Sequence, residues 1–78
     1  MTKAQDRHAL LAHLLRDLRN QSDLTQTDVA NALGKPQSYV SKYESGERRL
    51  DLVELADLCV VLGVSLHDLI SLFEKGER

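Results

Sequence analysis

Apolar residues recur at helical spacing in five separate stretches of this chain, with polar and glycine-containing breaks between them. Leu10, Leu11, Leu14, Leu15 and Leu18 share one face of a first helix running from about Ala4 to Asn20. Thr25 then stands three residues before Asp28, the spacing of a capping box, although Asp is shorter than the usual Glu or Gln at the third helical position. Val29, Ala30 and Leu33 give this second helix its apolar face, and Gly34 ends it, because glycine adopts a left-handed backbone at little cost. Pro36 fits the first turn of a third helix, where a missing N–H costs nothing. Tyr39, Val40 and Tyr43 fix that helix's inward face, and Gly46 closes it. Asp51 with Glu54 caps a fourth helix, with Leu52, Leu55, Ala56, Cys59 and Val60 expected inward and a stop at Gly63. Ser65 with Asp68 caps a fifth, using Leu66, Leu69, Ile70 and Phe73. No stretch alternates apolar and polar residues with β-branched enrichment, so strands are not expected. The predicted fold is all-α: five helices around a leucine-rich core.

The second and third helices, separated by a tight glycine turn, have the build of a helix-turn-helix, whose second helix enters the major groove of DNA. The outward residues of that helix are Gln37, Ser38, Ser41, Lys42 and Ser45. Gln can pair bidentately with adenine, Lys can donate to guanine, and Ser can bond to base edges or phosphate. An ordinary solvated helix would more often carry Glu–Lys pairs four residues apart. Here the acids wait until Glu44 and Glu47. Gln26 opens the second helix, where backbone amides are free and suit a phosphate. Arg48 and Arg49 follow the recognition helix and are expected to clamp phosphate, each neutralised charge adding affinity by counterion release.

Leu24 to Leu55 resembles the phage repressor/Cro type of helix-turn-helix, the XRE family. The matching elements are LTQ at 24–26, Ala30, Gly34 and SYVSKYESG at 38–46, and the likeness continues through LADLCVVLGVSLHDLI to cover roughly residues 8 to 72. The resemblance implies a λ-repressor-like five-helix bundle with the helix-turn-helix at helices 2 and 3. It also implies base contacts from Gln37, Ser38, Ser41 and Lys42. Phosphate contacts are expected from Gln26, Lys35, Ser45, Arg48 and Arg49. Pro36 departs from the family pattern, where a polar residue is common, and removes one amide that would otherwise face phosphate.

Charge complicates this picture. The 78 residues carry a formal net charge of −2, whereas DNA-binding domains are often clearly basic. Residues 1–23 hold four basic and three acidic groups, residues 24–50 four and three, and residues 51–78 two and six. The acid is therefore concentrated away from the proposed DNA face. At 0.15 M salt, where the Debye length is about 8 Å, distant acids repel phosphate weakly.

Composition excludes several other classes. A charged fraction of 28% with 42% hydrophobic residues is globular, of a size expected to form one domain over residues 1–78. No apolar run approaches a membrane span and no signal peptide opens the chain, so a cytoplasmic location is expected. Cys59 is expected to be buried packing and not a redox centre. His8, His13 and His67 lack partners at zinc spacing and are expected to face solvent, so no metal or other cofactor is called for. No nucleophile–base pair is recognisable, which argues against an enzyme, and no small-molecule ligand is expected.

A lone recognition helix reads about four or five base pairs, so a homodimer on a palindromic site of double-stranded DNA is expected, with half-sites near 34 Å apart. Leu69, Leu72 and Phe73 are the candidate dimer residues. The reading is a transcriptional repressor or autoregulator. An alternative is an antitoxin or other module binding a protein partner, such as a toxin or polymerase, through the acidic C-terminal third. A control protein of a restriction–modification operon shares the DNA chemistry and suits the small size.

Overall fold

The computed structural model describes residues 4–76, and they form five α-helices: α1 (Ala4–Gln21), α2 (Gln26–Leu33), α3 (Gln37–Ser45), α4 (Leu52–Leu62) and α5 (Leu66–Lys75). The helix starts follow the sequence chemistry. Thr25 accepts from the Asp28 amide at 3.0 Å and the Asp28 carboxylate accepts from the Thr25 amide at 2.9 Å, so the capping box closes despite the short side chain. Asp51 and Glu54 make the same reciprocal pair at the head of α4, and Ser65 caps α5 through the Asp68 amide. Gly34 and Gly46 end α2 and α3 at φ of 69° and 86°, angles an L side chain rarely adopts. Pro36 lies one position earlier than expected. It is the N-cap of α3, at φ −71° and ψ 155°, because the residue preceding the first helical turn must be extended.

The core draws on every helix: Leu15 and Leu18 of α1, Val29 and Ala30 of α2, Val40 and Tyr43 of α3, Leu58, Cys59 and Leu62 of α4, and Leu69 of α5. Ser22, just past α1, donates to the carbonyls of Leu18 and Leu62 and so ties the end of α1 to the end of α4. Cys59 is buried as expected.

The inward faces of α4 and α5 need correction. Val60 is 80% exposed, Leu52 64% and Ile70 45%, while Leu58 and Leu62 take the buried positions. Leu10 is half-buried and Ala12 is buried in its neighbourhood. Helix α4 reads LVELADLCVVL, so nearly every position could face a core, and periodicity leaves its rotation undetermined. Packing against α2 settles it. Leu69, expected at a dimer surface, is 2% exposed and belongs to the core of this chain. Its side chain is consumed by intrachain packing, while Leu72 and Phe73 remain half-buried.

Candidate nucleic-acid interface

Helices α2 and α3 pack closely across the Gly34 turn and present the head of α3 outward. Gln37, Ser38, Lys42 and Ser45 are exposed, and Ser41 is half-buried beside them. The amides of Gln37 and Ser38 begin α3 with no preceding helical carbonyl to receive them, leaving donors at a helix N-terminus.

A chain of hydrogen bonds holds this face in register. Arg19, in the last turn of α1, forms a bidentate pair with Glu44 of α3: Nε donates to Oε2 at 2.6 Å and a terminal nitrogen to Oε1 at 3.0 Å. The same guanidinium donates to the Leu24 carbonyl at 2.8 Å, which fixes the turn entering α2. Side-chain exposure is 11% for Arg19 and 4% for Glu44, so the pair is largely removed from water. The hydrogen bond to Glu44 raises the Arg19 pKa against the opposing effect of burial. Removing one partner of such a pair typically costs about 3–5 kcal/mol, because the other charge is left buried and uncompensated.

Glu44 also accepts from Gln26 Nε2 at 3.0 Å, and Gln26 Oε1 accepts from Gln37 Nε2 at 2.6 Å. The carboxylate sets the direction of this relay. Glu44 can accept but not donate, so Gln26 must turn its amide nitrogen inward and its oxygen toward Gln37. Gln37 must then donate inward, which leaves its carbonyl oxygen and second N–H pointing to solvent. That free donor–acceptor edge is complementary to N7 and N6 of adenine.

The expected phosphate residues divide into two groups. Among the described residues no carboxylate pairs with Lys35 or Arg49; Lys35 lies 5.4 Å from the Tyr39 ring centroid, at the rim of the turn. Arg48 is committed elsewhere. Its guanidinium donates to Glu54 at 2.9 and 3.3 Å and stacks 4.6 Å from the Tyr39 centroid. Arg48 and the Asp51 amide together hold the Glu54 carboxyl at about 2, well below its usual 4.5. Ser45 bonds to the Lys42 carbonyl and to Glu47. Tyr43 and Tyr39 meet edge to face at 5.8 Å as core and half-buried residues, not as open stacking platforms. The Tyr43 hydroxyl is buried without a protein partner among the described residues.

Sequence reasoning missed Arg19 and Glu44 as organisers, and it foresaw Glu54 as a capping partner of Asp51 but not its pairing with Arg48. Glu44 follows buried Val40 by one turn, so it had to point toward the protein, and a buried carboxylate there called for an arginine. That was the available signal.

Comparison with known proteins agrees with this fold. A family model described as a helix-turn-helix domain matches residues 10–73. Control protein C.MunI from a Mycoplasma species is 36% identical over 62 residues, covering 78% of this chain and 84% of that protein. The solved structure of an XRE-family-like protein from Pseudomonas syringae pv. tomato str. DC3000 superposes with a TM-score of 0.84 at 40% identity, covering 92% of this chain and 88% of that one. The restriction-modification controller protein C.AhdI from Aeromonas hydrophila gives a TM-score of 0.74 at 31% identity, covering 80% and 94%. The chain belongs to the helix-turn-helix domain family of DNA-binding regulators, with its near structural relatives of XRE and controller type.

Proposed function

We propose that this chain is a sequence-specific transcription regulator that binds a palindromic operator as a homodimer, with α3 as its recognition helix. The observation that carries this reading is the Arg19–Glu44–Gln26–Gln37 relay, which presents one oriented amide edge at the head of α3. Gln37, Ser38, Ser41 and Lys42 read base edges. Gln26, Lys35 and Arg49 bond to phosphate, while Arg48, neutralised by Glu54, shapes the turn that carries Arg49, and the Ser45 hydroxyl is held by the Lys42 carbonyl and Glu47. The names of C.MunI and C.AhdI support a narrower assignment, an autoregulating control protein of a restriction–modification operon.

Dimerisation uses a second copy of the chain on the apolar side of α4 and α5. Leu52 and Ile70 line a groove there with Phe73, and Val53 and Val60 stand exposed at 69% and 80% on the same helix as Leu52. A standard interface covers about 800 Å² per partner, a modest share of the 5185 Å² surface. Selection from randomised duplexes with purified protein at 0.15 M salt tests the reading. An enriched palindrome is expected; recovery of unselected sequences would refute sequence-specific recognition.

A further inference from the structure

We propose that the DNA-contacting surface extends onto α1, where a basic groove beside the C-terminal end of α3 takes a backbone phosphate outside the segment read by the recognition helix. The groove, about 410 Å³, is lined from α1 by His8, His13 and Arg16 and from the other wall by Ser45, Gly46 and Arg49. Arg16 and Arg49 are exposed, and no carboxylate pairs with either among the described residues. The one acid lining it, Glu44, is consumed by Arg19 and Gln26. Asp17 lies near its rim, 3.9 Å from His13.

Position argues for DNA as the occupant. Ser45 lies one turn beyond Ser41 on the outward face of α3, so the recognition surface runs without a break into the groove. A chain of net charge −2 gains little from its overall field, and its affinity for a polyanion must come from local groups of this kind. Cations beside a helix C-terminus also complement the helix dipole, so the test reads DNA binding and not stability.

This inference rests on the DNA-binding reading, and the wild-type arm separates the two. Binding of wild type, Arg16→Gln, Arg49→Gln and Lys75→Gln to the selected duplex and to a random one is measured as a function of salt. Each lost phosphate contact lowers the slope of log K against log salt by about 0.9, equivalent to about fivefold weaker binding at 0.15 M. Arg16→Gln and Arg49→Gln are each expected to show this loss on both duplexes, and Lys75→Gln, outside the groove's lining, to show none. An Arg16→Gln slope equal to wild type overturns the groove while leaving the recognition helix in place. An equal loss in Lys75→Gln reduces the effect to total charge and also overturns it. A change in base preference for Arg16→Gln contradicts a phosphate role. No binding by wild type removes the DNA reading and this extension together.

Discussion

At the scale of single residues, Gln37 is useful because it is not free. A glutamine alone on a helix samples several rotamers and presents either end of its amide. Here Gln26 takes one N–H and fixes the other end outward. Gln37→Ala should therefore relax preference at one base pair, at a cost of about 1–3 kcal/mol there. Gln26→Ala should blur the same position while keeping the backbone amide at the start of α2 that suits a phosphate. The two effects are expected to be non-additive in a double-mutant cycle read by binding to single-base operator variants. Strict additivity at that base pair would mean that the two side chains act independently. The outward residues of α3 were legible from the sequence because they follow helical periodicity and the turn glycine marks where the period restarts. The relay was not legible, since Arg19 and Glu44 lie 25 residues apart and nothing local pairs them.

At the scale of elements, helix boundaries were readable because caps are local chemistry. Thr25, Asp51 and Ser65 each bond to an amide three residues on, whatever the rest of the chain does. The rotation of α4 was unreadable for the opposite reason: a helix apolar almost all round is oriented by its neighbours. The turn between α3 and α4 combines both effects. Glu54 serves the Asp51 cap and also holds Arg48 against Tyr39. With its carboxyl held at about 2 against a usual 4.5, its folded form is favoured above the unfolded value, and that contribution fades as pH falls from about 4.5 toward 2. Glu54→Gln should thus melt lower than wild type at neutral pH and lose less on acidification through that window. Thermal unfolding across a pH series checks this; parallel profiles for the two proteins would contradict it.

At the scale of the whole molecule, α5 separates two roles that its sequence merges. Leu69 and Ile70 are adjacent and equally hydrophobic, but one is 2% exposed and the other 45%. Leu69→Ala should destabilise the fold by about 2–5 kcal/mol, the usual cost of truncating a buried leucine. Ile70→Asp should leave the fold intact while shifting the protein to monomer and weakening binding to a two-half-site duplex. Denaturant unfolding and sedimentation velocity together distinguish these outcomes. Ile70→Asp remaining dimeric would place the interface elsewhere. The acidic C-terminal third stays compatible with DNA binding, because the surface proposed to meet DNA is built from α2, α3, the turn that follows and the groove wall on α1.

The direction imposed by Glu44 also limits how this scaffold can be retargeted. A residue at position 37 keeps the relay only by donating inward to Gln26, so Lys or Arg, long enough to reach it, can inherit the contact, whereas Glu or Asp would set a second acceptor against the first. A library that varies position 37 alone therefore explores a restricted alphabet. New operators that require a carboxylate at that position become reachable when Gln26 is varied with it.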